Sequence, residues 1–201
     1  ERGHFINLLL KKIGKDHKNG EWKIDLEQED CHTAIENHLT KYLGSAGGSI
    51  HLGRSRNDQV LAALRLYLKD VGDNVAKELE LLISKINVLI KKQGEVQLPG
   101  YTHTQRGMPS SVKLWAEGYT SELSDDVIGI KLATNRADKN PLGSAAGYGT
   151  PGLNIDRELT TKSLGFKSTH EPVTAVQISR GKAEASVIMF ILPPIEGVAK
   201  F

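Results

Sequence analysis

Between Val60 and Leu89 one row of apolar residues, Val60, Leu64, Leu68, Val71, Val75, Leu79, Leu82, Ile86 and Leu89, advances by steps of three or four, with no proline between them. Steps of three and four keep side chains on one face of an α-helix, whereas a strand buries every second residue. One helix of about thirty residues spans roughly 45 Å at 1.5 Å per residue. A helix of that length gains most of its stability by laying its apolar stripe against neighbours, so the spacing predicts a long-helix bundle. A chain of 201 residues is too short to cover the whole stripe, which makes a homo-oligomer its natural sink.

The flanking segments fit the same class. A first helix is expected to end near Lys12, before the turn-rich "GKDHKNGEW". A second is expected from Asp25, which stands three residues before Gln28 in capping-box spacing, to Gly44, with a glycine-serine linker "GSAGGS" after it. "LPGYTHTQRGMPSS" breaks the helical pattern, and another long helix is expected after Pro109, through Trp115, Tyr119, Leu123, Val127 and Ile130. "NPLGSAAGYGTPGLN" reads as an irregular loop, followed by helices from Asp156 to about Leu164 and from Ala175 to Leu192. Strand signals are nearly absent, so the expected fold class is all-α. Residues 1–52 are expected to form an N-terminal helical domain and residues 53–201 the central bundle, each only in part.

Apolar residues make up 39% and charged residues 25% of the chain, the usage of a soluble folded protein. The net charge of +2 is spread along the chain without blocks, which argues against nucleic acid and anionic membranes as partners. One cysteine, Cys31, excludes an internal disulfide, and no long apolar run or leader pattern stands out, so the cytoplasm is the expected compartment.

Two short stretches carry chemistry. Arg54, Ser55, Arg56, Asn57 and Asp58 crowd the start of the long helix, where free backbone N–H groups and guanidinium forks suit an anion. The same residues also suit plain capping by Asn57 or Asp58 with solvated arginines, and the pattern leaves both readings open. In "GYTHTQR", His103 lies between two long helices beside Thr102 and Gln105, where an imidazole can move protons near neutral pH or simply bond to backbone. His32 follows Glu29 and Asp30 and precedes Glu36 by one helical turn, an ordinary surface pairing. No second histidine stands at a zinc-helix spacing, so no metal is expected. The small residues of "NPLGSAAGYGT" lack the Gly-Lys-Ser/Thr ending of a phosphate loop.

Together "GRSRNDQV" (53–60), "PGYTHTQRGMP" (99–109), "NPLGSAA" (140–146) and "EDCHTAIENHL" (29–39) resemble the argininosuccinate lyases of the fumarase/aspartase superfamily, and "NIDREL" (154–159) extends the likeness. The resemblance implies a homotetramer built on a core of twenty long helices. It also implies reversible β-elimination of argininosuccinate to arginine and fumarate without a cofactor, at sites shared between subunits. Residue by residue, it implies that Ser55, Arg56, Asn57 and Thr102 bind substrate, that His103 is the proton-transfer histidine or its activating partner and that His32 lines the site. Arg54, Asp58 and Ser144 stay open between substrate and scaffold.

The chain departs from the family pattern at Leu52, Thr104 and Gly181, where Thr, Leu and Asp are usual, and these 201 residues do not contain the flexible loop that carries the family's serine base. This stretch alone is therefore expected to be inactive. Two alternatives follow from the same resemblance: a catalytically silent, crystallin-like structural relative, or a sister lyase acting on another succinyl adduct.

Overall fold

The computed structural model describes residues 2–199. Its frame is the helix that the periodicity predicts: α4, Arg56–Gln93, is 38 residues long and outruns the apolar row at both ends. α4 lies antiparallel to α5 (Val112–Ala137), with Ala76, Leu79 and Ile86 against Ala116, Leu123, Val127 and Ile130. Nearer its start, Leu68 meets Ala133 and Ala137 of α5 and Ala183 and Val187 of α8 (Lys182–Ala199). Small residues set how closely these helices approach. A methyl group placed on Gly72 would come within 2.2 Å of Thr134 Oγ1.

A buried polar knot fixes the first third of α4. Arg65 is fully enclosed, and its guanidinium donates to Glu184 Oε1 at 3.2 Å, the Lys139 carbonyl at 2.9 Å and Ser179 Oγ at 2.8 Å. It also lies 2.9 Å from His170 Nδ1, which acts as acceptor because a guanidinium offers no lone pair. Burial, then the charges of Arg65, Lys139 and Arg157, push His170 down to about 4, with Glu184 pulling the other way. The imidazole is thus neutral around neutral pH.

The N-terminal part differs from expectation at its boundaries. α1 (Arg2–Lys18) runs past Lys12 and stops before Gly20, whose φ of 76° most other residues do not adopt cheaply. Gln28 Oε1 accepts from the Asp25 N–H at 3.0 Å, so half of the expected capping box exists, but it closes a turn. The helix itself, α2 (Cys31–Leu43), starts later because Asp30 caps it, accepting from the Thr33 N–H at 2.8 Å. α2 ends at Gly44 as expected, whereas the glycine-serine linker contains a further turn, α3 (Ser45–Gly48).

The largest correction lies between the long helices. "LPGYTHTQRGMPSS" is a β-hairpin, β1 (Gln97–Thr102) paired antiparallel with β2 (Gln105–Ser111), and Pro109 stands opposite Pro99 in it. Pro109 therefore does not open the next helix; Ser111 caps α5 by accepting from the Leu114 N–H at 3.1 Å. After α5 come β3 (Lys139–Asn140), the irregular loop expected from composition, α6 (Arg157–Leu164) capped by Asp156, and β4 (Ser168–Thr169), which pairs parallel with β3. The helix expected over 175–192 is two, α7 (Ala175–Ser179) and α8, broken at Arg180–Gly181 where Gly181 has φ 80°. Among the described residues no helix is long and apolar enough to cross a membrane.

Candidate active site

The start of α4 is both cap and meeting point. Ser55 is the N-cap: its Oγ accepts from the Asn57 N–H at 3.2 Å, and Asp58 Oδ1 accepts from the Ser55 N–H at 3.0 Å. Asp58 is only 1% exposed, and its Oδ2 accepts from the N–H groups of Gly143 and Ala145 at 3.1 and 2.9 Å. Both oxygens being committed, Asp58 ties the "NPLGSAA" loop to the helix start and is scaffold. Burial pushes its carboxyl above the usual range; the amides of Ala145, Ser55 and Gly143 and the charge of Arg54 act in the opposite sense. Arg54 is half-buried, and burial lowers its guanidinium while Asp58 raises it. Ser144 is fully enclosed, with no hydrogen-bond partner for its Oγ among the described residues, so it shapes the loop and reaches no open surface.

Arg56 links this segment to α2. Its Nη1 donates to Glu29 Oε2 at 3.0 Å and lies 3.6 Å from Asp30 Oδ2, while its Nη2 and Nε have no partner among the described residues. Asp30 is held below the ordinary carboxyl range chiefly by the Thr33 amide, against desolvation and with help from Thr33 Oγ1, Arg56 and His32. The acidic pair before His32 is thereby explained: it orients an arginine, and among the described residues no group of His, Cys, Asp and Glu is arranged to hold a metal ion. His32 sits in the first turn of α2, near this junction. Glu36, expected beside His32, instead lies 3.9 Å from His51 Nδ1.

Asn57 is exposed, and its Oδ1 accepts from Arg180 Nη1 at 2.9 Å. Sequence reasoning missed Arg180, because nothing in "ISRGK" connects it with a residue 123 positions earlier. With Oδ1 occupied, the Asn57 amide presents donors outward. So do the Ser55 hydroxyl, whose oxygen is already an acceptor, and the free edge of Arg56. The segment offers what a carboxylate requires.

Thr102 and His103 are elsewhere. They occupy the tip of the hairpin, exposed, with His103 and Thr104 as the two-residue turn at φ 52° and 62°. Positive φ at both positions is what a tight hairpin needs, but Asn-Gly adopts it freely and a β-branched threonine does not. From Arg56 to Gln93 the helix covers about 55 Å, and the ten residues onward to His103 reach back at most about 34 Å. His103 is therefore at least roughly 20 Å from Asn57 in one chain. Within one chain the structure brings Ser55, Arg56, Asn57 and the start of α2 together and leaves Thr102 and His103 apart.

The molecule is a helical bundle with a donor-rich helix start and a histidine-bearing turn at opposite ends of its longest helix. The family model described as Lyase matches residues 3–189, and the chain belongs to that family. It is 44% identical over 192 residues to the argininosuccinate lyase of Phocaeicola vulgatus, covering 94% of this chain and 42% of that protein. The argininosuccinate lyase of Thermotoga neapolitana is 42% identical over 179 residues (89% of this chain, 44% of that protein), and that of Xanthomonas oryzae 43% over 181 residues (89% and 41%). The chain thus spans about two fifths of the length of the curated relatives it matches. Among solved structures, an EDDS lyase with bound fumarate superposes with a TM-score of 0.78 at 22% identity, over 97% of this chain and 38% of that one, which fixes the fold.

Proposed function

We propose that the protein to which these residues belong is an argininosuccinate lyase, releasing arginine and fumarate by β-elimination. The observation that carries the reading is that relatives bearing that name match about nine tenths of the chain at 42 to 44% identity, across both motif segments. In the reaction a base removes a proton from the carbon next to one carboxylate. The electron pair is held as an aci-carboxylate and then forms the fumarate double bond as the carbon–nitrogen bond breaks, and the departing guanidinium takes a proton from an acid. Ser55, Arg56, Asn57 and Thr102 hold the succinyl carboxylates, and preorganised donors at a developing dianion are typically worth several kcal/mol each. His103 is the proton-transfer group, and His32 lines the site beside Arg56.

The separation of His103 from Asn57 is bridged by a second copy of the chain, so we read the protein as a homotetramer with composite sites. The exposed apolar side chains of the bundle, among them Val60, Leu64, Leu132, Ile188 and Met189, support that reading. An exposed free cysteine, Cys31, agrees with a cytoplasmic setting.

The test is incubation of the full-length protein with argininosuccinate, following fumarate by its ultraviolet absorbance and arginine by amino-acid analysis. Stoichiometric release of both is expected. A folded protein that releases neither points to a silent structural relative, and release of fumarate only from another succinyl adduct points to a sister lyase.

A further inference from the structure

We propose that Arg180 is a positioning residue for this site: it fixes which end of the Asn57 amide faces substrate. The inference rests on the assignment of Asn57 to a substrate carboxylate. An asparagine side chain has a carbonyl end and an amino end of nearly the same shape, and either can point outward unless something selects between them. Arg180 Nη1 lies 2.9 Å from Asn57 Oδ1. A guanidinium has donors and no acceptor, so it stabilises only the carbonyl end and turns Nδ2 with its two hydrogens away from itself. A carboxylate takes donors and is repelled by a carbonyl. Arg180 thus converts an ambiguous amide into a fixed donor pair, next to the Ser55 hydroxyl and the free edge of Arg56.

The backbone explains how a residue so distant in sequence reaches Asn57. Arg180 closes α7 in an extended conformation (φ −58°, ψ 131°), and Gly181 follows at φ 80° before α8 begins. A continuous helix over 175–192 would carry residue 180 along the α8 axis. The break swings it out instead. The neighbouring Ser179 and Glu184 are both held by Arg65 of α4, so the segment carrying Arg180 is anchored to the helix whose start carries Asn57. Arg180 itself is exposed, and this is the one hydrogen bond of its side chain among the described residues.

The experiment uses the full-length protein with four variants, Arg180→Ala, Arg180→Lys, Asn57→Ala and the double Arg180→Ala/Asn57→Ala. It measures kcat and KM for argininosuccinate and, by calorimetry, the dissociation constant of fumarate. Arg180→Ala is expected to raise KM and the fumarate dissociation constant about tenfold, with kcat within about twofold. Arg180→Lys should recover most of the loss, because an ammonium also donates to Oδ1. In the Asn57→Ala background, Arg180→Ala should change nothing further. The proposal is overturned if Arg180→Ala matches wild type, if lysine fails to rescue, or if the tenfold effect persists without Asn57, which would make Arg180 a direct ligand. A wild-type protein that neither turns over argininosuccinate nor binds fumarate instead overturns the underlying reading, and with it any carboxylate for Asn57 to hold.

Discussion

At the tip of the hairpin, His103 and Thr104 hold positive φ without a glycine between them, a conformation that costs a non-glycine residue roughly 1–2 kcal/mol. Such a turn places an imidazole in solvent, clear of its own chain, which is the geometry of a side chain offered to something else. His103→Asn keeps a residue that tolerates positive φ while removing the titrating ring. In the full-length protein we expect turnover to fall by about 10²–10⁴ with the far-ultraviolet circular dichroism unchanged. A rate within twofold of wild type would remove His103 from the chemistry. His103, Asn57 and Arg56 were legible as residues of interest because motif and residue type coincide. Asp58 was not assignable, since a carboxylate that binds a distant loop through two backbone amides looks, in sequence, like any helix cap. Arg180 was invisible for the same reason: its partner is fixed by how the helices pack, and no local pattern records it.

Among the elements, the long helices were readable because burial on one face leaves a period, and α4 and α5 both carry it. The hairpin was not. Its strands alternate weakly, nine of their thirteen residues are exposed, and its prolines read as turn residues when Pro99 and Pro109 in fact face each other across the pair. The close crossing at Gly72 gives a prediction whose sign is decided by magnitude. Gly72→Ala gains about 1 kcal/mol of helix propensity, but its methyl meets Thr134 Oγ1 at 2.2 Å, and overpacking a well-filled contact costs about 1–3 kcal/mol. A net loss in denaturant midpoint is expected, and Thr134→Ala in the same chain should reverse it, because it removes the clashing hydroxyl, a group already without a hydrogen-bond partner among the described residues. If the double variant stays as unstable as the single one, the crossing is not what Gly72 serves. The knot around Arg65 adds a pH dependence. His170 titrates near 4 in the fold and near 6.5 when exposed, so the unfolded chain binds the extra proton between those values and stability is lost as pH falls through that window. From about pH 7 to about pH 5 the loss is on the order of 2 kcal/mol, read as a lower urea midpoint. His170→Gln, which still accepts from Arg65, should flatten that slope.

On the scale of the whole molecule, one distance decides how a site can be made. At least roughly 20 Å separates Asn57 from His103 along a single chain, more than a succinyl adduct can bridge, so the proposed site requires them from two copies. That arrangement has a consequence no single-chain site shares. Protomers carrying Asn57→Ala and protomers carrying His103→Asn should each turn over far more slowly than wild type alone, yet an assembly containing both can form sites that draw an intact Asn57 from one copy and an intact His103 from another. With equal amounts mixed at random, each requirement is met half the time, and about a quarter of wild-type turnover should return after the two proteins are unfolded and refolded together. Mixing without subunit exchange should return nothing, which separates reassembly from contamination by active protein. If co-refolded mixtures, shown by mass to contain both variants, remain as inactive as their parents, then Asn57 and His103 do not serve one site from different copies, and the composite-site reading fails however well each residue behaves on its own.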